Sequence, residues 1–144
     1  MQLRGDRAKF RRVGANVVLI GLGTPERAAW FCDDRQIPFT CVADPDVSAH
    51  RAFGLKRGSL RQVMGPQVYL RWAKARLISD MPFPSAKLGE DVLQMPGTFV
   101  VDTDGIVRYA HRNKDVTDNP ANEEILEVLT ALSSAPQTGR RRTA

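Results

Sequence analysis

LQMPGTFVVDTDGIVRYAHR, residues 93–112, is the stretch on which the fold turns. Two alternating apolar runs flank Thr103-Asp104-Gly105, and an Asp-Gly pair between such runs predicts a β-hairpin, with strands over Thr98–Val101 and Ile106–Ala110. The entry to the hairpin is less ordinary. The chain reaches the first strand through Met95-Pro96-Gly97-Thr98, although proline removes a backbone donor and fixes its own φ. A proline placed there predicts a fixed turn ahead of the strand.

Upstream, NVVLIGLG reads as a strand buried on both faces, hence parallel in an α/β sheet. Thr24-Pro25-Glu26 then opens a helix with an N-cap, a first-turn proline and an acid at the positive end of the dipole, running to about Arg35. PFTCVAD predicts a second strand, and Asp44-Pro45-Asp46 a short helix to about Phe53. Strand and helix in alternation point to βαβ units with a parallel sheet. Residues 2–13 predict a helix with Leu3 and Phe10 on one face, stopped at Gly14. Residues 66–78 suit an amphipathic helix inside an insert at about 54–91. Asn119-Pro120 precedes a last helix whose Ile125, Val128, Leu129 and Leu132 share a stripe. We therefore expect one domain over 1–133, followed by a disordered basic tail at 134–144.

Composition excludes several classes. A chain of 144 residues, 42% hydrophobic and 26% charged, is a globular domain with no apolar run of membrane-spanning length. Its net charge of +5 is concentrated: residues 1–12 hold five Lys/Arg against one Asp, and Arg140-Arg141-Arg142 lie near the C-terminus. Residues 47–79 carry seven Lys/Arg and no acid, but no nucleic-acid motif accompanies them, so we expect a solvated surface and no nucleic-acid partner. Two cysteines are not a disulfide framework, and with no secretory h-region at the N-terminus the chain reads as cytoplasmic.

ANVVLIGLGTPERAAWFC, PFTCVADPD, Phe53-Gly54-Leu55 with Arg57-Gly58-Ser59, and MPGTFVVDTDGIVRYAHR with DNPANEEIL together resemble the peroxiredoxin-like branch of the alkyl hydroperoxide reductase / thiol-specific antioxidant (AhpC/TSA) family. The resemblance implies a thioredoxin-like three-layer α/β/α sandwich. It also implies thiol-dependent antioxidant chemistry: a peroxide or disulfide substrate, a thiol reductant, and no cofactor or metal. In that fold the X–Pro bond is cis and faces the reactive cysteine, so the resemblance implies a cis Met95–Pro96 bond, and Met95, Pro96, Gly97 and Thr98 become the expected substrate loop. The family's cysteine motif, however, sits at the start of the helix within which this chain begins. The chain thus resembles an N-terminally truncated or degenerate member, expected to lack both the family's catalytic cysteine motif and the strand between NVVLIGLG and TFVVD, and so to be inactive alone. Exposed strand edges are then expected to favour homo-oligomers. Pro96-Gly97 also stands where peroxidases of the family often place Arg-Gly, which favours thiol–disulfide exchange over peroxide specialisation. A non-catalytic binding module of the same fold is the alternative.

The chain's own candidates for the reactive thiol are Cys32 and Cys41. Cys32 falls on the sheet-facing side of its helix and Cys41 shares a strand face with Phe39, so both read as inert core residues. They can pair only if the helix end meets the strand. His50 and His111 show no partner at metal-ligand spacing, and Asp102 and Asp104 read as turn formers.

Overall fold

The computed structural model describes residues 2–59, 65, 66, 69, 70, 73, 93–115 and 117–134. The helix expected over 2–13 is two: α1 (Gln2–Gly5) and α2 (Arg7–Arg12). The break falls at Asp6, whose carboxylate is taken by Lys9 at 2.7 Å and by the Asn122 side-chain amide, also at 2.7 Å. Gly14, at φ +73°, ends α2 in a conformation that favours glycine.

Strand β1 (Val18–Gly21) leads into α3 (Pro25–Asp34), and β2 (Thr40–Ala43) follows. β1 and β2 pair in parallel with Val18 opposite Thr40 and Gly21 opposite Ala43, as the alternation of elements predicts. A short helix α4 (Ser48–Ala52) closes this half. The hairpin is β3 (Gly97–Val101) and β4 (Val107–Arg112), antiparallel from Gly97 opposite Arg112, with an irregularity between Val100 and Val101. Its turn is held by Asp102, which accepts from the Asp104 and Ile106 amides at 2.9 Å and from Arg108 at 2.6 Å. Gly105 supplies the positive φ that the turn needs. The final helix is α5 (Asn122–Ser134).

The core joins the two chain ends. Phe10 of α2, Val100 of β3 and Ile125 of α5 are buried together, with Leu3, Val17, Tyr109, Leu129 and Leu132 packed around them. The 3.6-residue stripe of α5 and the shared face of Leu3 and Phe10 are thus realised in one cluster. Among the described residues β1–β2 and β3–β4 are separate two-stranded ladders, and no described strand joins β1 to β3.

The expectation that β1 is buried on both faces is corrected. Leu19 and Cys41 lie on the partly covered face against α3, whereas Val18, Ile20 and Val42 are 50%, 41% and 44% exposed on the other. A run of β-branched residues signals strand strongly; it does not reveal whether a second layer covers it. Most of the 66–78 helix and the 135–144 tail lie outside the described residues. No helix among the described residues is long and apolar enough to cross a membrane.

Ile20→Lys tests the open face. Because Ile20 already meets solvent, the melting temperature should move by no more than about 2 °C. Self-association in light scattering should fall, since a charge on an apolar strand surface opposes edge and face pairing. A large drop in melting temperature would show instead that the face is covered.

Candidate functional site

Two places carry chemistry. The first is the loop ahead of β3. Residues 56–58 run antiparallel to 93–95: the Gly58 amide donates to Leu93 O at 2.6 Å, the Met95 amide donates to Lys56 O at 3.2 Å, and Arg57 bridges Gln94. Met95 is buried beneath this pairing, and Pro96 O accepts from the Asn113 amide at 3.2 Å. Proline costs no ladder bond here because the strand register begins at Gly97. No cis peptide bond occurs among the described residues, so the expected cis Met95–Pro96 bond is corrected to trans. The fixed turn comes from backbone pairing on both sides of Met95 rather than from the isomer.

Gly97 is required by contact, not by φ. A Cβ at this position would lie 2.7 Å from Leu55 Cδ2, 2.8 Å from His111 O and 3.0 Å from the Phe99 ring. Phe99 in turn stacks on Phe53 at 4.6 Å between centroids, and the Arg112 guanidinium lies 5.4 Å from the Phe99 centroid while its Nε donates to Phe53 O at 3.0 Å. The loop, the end of α4 and the end of β4 therefore form one packed unit. Gly97→Ala should cost about 2 kcal/mol, because the His111 carbonyl is backbone and cannot turn aside. Gly5→Ala, with nothing within 4 Å, should be neutral or slightly stabilising in the same thermal melts. Equal melting temperatures for the two variants would refute the close-approach argument.

What orients α4 toward that loop is Asp44, at the carboxyl end of β2. Its amide donates to Gly21 O at 2.8 Å, tying it to β1. Oδ1 accepts from the Ser48 amide at 2.8 Å, the Ser48 hydroxyl at 3.0 Å and the Ala49 amide at 3.2 Å; Oδ2 accepts from the His50 amide at 3.0 Å and lies 2.6 Å from His50 Nδ1. Asp44 is thus a buried cap for the first turn of α4, which begins after Val47 in the left-handed region at φ +56°. His50, read from its spacing as having no metal-ligand partner, has Asp44 as a carboxylate partner through the helix cap. The two lie six positions apart, and the signal for the pair was the acid at the helix start. His111 also has an acid beside it: Nε2 lies 2.9 Å from Asp118 O and 3.4 Å from Asp118 Oδ2. No group of three metal-ligating side chains forms among the described residues.

Burial opposes ionisation of Asp44, but the His50 side chain, the His50 and Ala49 amides and the Ser48 hydroxyl outweigh it. They hold the carboxyl well below its ordinary value of 3.8. A depressed carboxyl contributes stability that is present above the unfolded value and lost as pH falls through the folded one. Melting temperature should therefore drop progressively below about pH 4, and this acid limb should flatten in Asp44→Asn. At neutral pH that variant should lose about 2 kcal/mol by weakening the cap. An unchanged acid limb would remove Asp44 as its cause.

The second place is Cys32 and Cys41. They are not free: a disulfide joins them across nine positions of sequence, with Cα atoms 6.6 Å apart. Cys32 lies in the last turns of α3, where its carbonyl accepts from the Ile37 amide at 2.8 Å, and that bond folds the chain back sharply into β2. Cys41 sits in β2, its Sγ 3.7 Å from Phe39 O. The reading of two inert core thiols is corrected. The helix end and the strand do meet, and both residues are only partly buried. Without a free pair, the cysteines give no support for a reducing compartment.

The bridge and the Met95–Thr98 loop are not brought together: Cys41 belongs to the β1–β2 ladder, and the loop leads into β3 of the other. The profile of AhpC/TSA antioxidant enzymes matches residues 2–115, spanning both places. The chain belongs to the AhpC/TSA family. Comparison with curated proteins finds no match. Membership in this family carries the thioredoxin-like α/β fold and a general function of thiol-dependent peroxidase or oxidoreductase type.

Proposed function

We propose that this chain is a thiol-dependent oxidoreductase whose working couple is Cys32 and Cys41, exchanging electrons with dithiols and disulfides. The observation that carries the reading is the Cys32–Cys41 bond itself. The chemistry of an AhpC/TSA member is thiol chemistry, this chain holds two cysteines, and they are bonded to each other. Any thiol reaction performed by these residues alone passes through that pair. In the reductive direction an external dithiol takes the bridge to two thiols and leaves as a disulfide. In the oxidative direction a disulfide substrate, or a peroxide through a sulfenic acid resolved by the second thiol, restores the bridge.

The preference for disulfides over peroxides follows from what surrounds the loop. Pro96-Gly97 places no cation ahead of β3, and Arg112, the guanidinium nearest Gly97 in the ladder, is committed to Phe53 O and the Phe99 ring. A peroxide needs such a charge to stabilise its departing oxygen. The cytoplasm is the compartment proposed for this cycle.

One observation favours the second reading, a binding module without turnover: the open Val18, Ile20 and Val42 face offers a partner apolar surface with no reactive group in it. Thiol counting separates the two. As purified, the chain should show no thiol toward a chromogenic disulfide and two after dithiothreitol. Removal of the dithiol followed by an oxidised dithiol should return the count to zero within minutes, and Cys32→Ser should abolish the cycle. Failure of the reduced pair to reoxidise with any disulfide would refute the oxidoreductase reading and leave the binding module.

A further inference from the structure

The outer face of α5 carries a stripe that the core does not use. Glu123, Glu127, Thr130 and Ser134 follow one another at i, i+4, i+7 and i+11, on the side opposite Ile125, Leu129 and Leu132. With Lys9 of α2 they line a surface groove of about 620 Å3 between the first and last helices. The Lys9 ammonium rests 2.7 Å from Asp6, and Glu123 acts on it only at longer range. Among the described residues neither Glu123 nor Glu127 is held in an ion pair. The groove thus presents two exposed carboxylates, about 6 Å apart along the helix axis.

We propose that residues 135–144 fold back along this stripe, seating Arg140 against Glu127 and Arg142 against Glu123. Ser134 is both the last residue of α5 and part of the groove wall, so the segment that follows it starts at the site. Ala135-Pro136 stops the helix, because proline breaks the continuing turn and disfavours the helical region for the residue before it. A chain that reverses there and runs extended covers about 13 Å by Arg140 and about 20 Å by Arg142. Counted back from Ser134, Glu127 lies about 10 Å and Glu123 about 16 Å along the axis. The difference is within the reach of an arginine side chain. The spacings agree as well. Alternate residues of an extended chain stand about 6.6 Å apart on one side, close to the separation of the two carboxylates, and Arg141 then points away from the helix.

Charge favours the same seat. Arg140, Arg141 and Arg142 supply three positive charges in a chain of net charge +5, and residues 135–144 contain no acid. The planar guanidinium fork matches a carboxylate, which an ammonium does less well. Exposed ion pairs are individually weak, but a short tether keeps the arginines at high local concentration whatever the protein concentration. The result is a salt-dependent latch over the junction of α2 and α5, beside the Asp6–Asn122 bond that already clasps the two ends.

Backbone amide relaxation of the isotope-labelled full chain tests the latch. At about 10 mM salt, where charges act over about 30 Å, the amides of residues 140–142 should have order parameters above about 0.6. At about 1 M salt, where the screening length is about 3 Å, they should fall below that value. Glu123→Gln/Glu127→Gln and Arg140→Gln/Arg142→Gln should each lose the ordering at low salt, whereas Arg141→Gln should keep it. Low order parameters in the unaltered chain at low salt overturn the latch. Ordering that survives high salt, or the paired glutamine changes on α5, overturns its ionic seat. Equal loss in Arg141→Gln overturns the pairing through alternate arginines. Ordering that grows with protein concentration puts the same segment of a second copy in the groove, and overturns the intramolecular seat.

Discussion

A single buried carboxylate organises the half of the molecule that carries the bridge and orients the half that carries the loop. Asp44 ends β2, is tied to β1 through its own amide, and gathers the amides of Ser48, Ala49 and His50 on its two oxygens. Without an anion at that point the first turn of α4 has three unsatisfied donors in a partly buried place. Because α4 is only five residues long, its direction is set by its cap. That direction delivers Phe53 to Phe99 and Leu55 to Gly97. The position of the Met95–Thr98 loop thus follows from a contact made more than fifty residues earlier.

The two chemical places differ in how they are held. The loop is fixed by packing that leaves no room for one methyl group at Gly97, with backbone pairing before it and a ladder after it. The bridge is fixed by a covalent bond across an α3–β2 corner whose outer surface is open. A rigid loop suits recognition, because it costs little entropy to present; an open bridge suits exchange, because a thiolate must reach the sulfur along a defined line. The separation of the two on different ladders means that a partner spanning both would cover a broad surface, and that a partner engaging one need not disturb the other.

The hairpin, the parallel pairing of β1 with β2 and the apolar stripe of α5 were legible because each is a local or periodic property: Asp104-Gly105, a βαβ alternation and a 3.6-residue repeat. What escaped depends on partners distant in sequence. The helix at the N-terminus breaks because Asn122, 116 residues away, competes for Asp6. The isomer at Pro96 depends on residues 56–58 pairing with 93–95. The cysteines lie nine apart, yet their pairing depends on the angle at which α3 turns back through Ile37, and no propensity encodes that angle. His50 was the nearest miss. Its acid was read as a helix start, and an Asp six residues before a His does not by itself say that the cap and the ring share a carboxylate.

The Phe10–Val100–Ile125 cluster has a consequence for how the polypeptide is made. Its members lie on the second helix, the hairpin and the last helix, and the Asp6–Asn122 bond clasps the same two ends. During synthesis the α3–β2 corner can form as soon as it clears the ribosome, since its contacts are local. The apolar sides of Leu3 and Phe10 lack Ile125, Leu129 and Leu132 until the last helix emerges. The nascent chain therefore spends most of its translation with a finished corner and an unfinished centre, and closes in one late step dominated by contacts of long sequence separation. Such closures are slow relative to local ones, and the exposed interval before them is when an unassembled chain is most open to chaperones and to its neighbours.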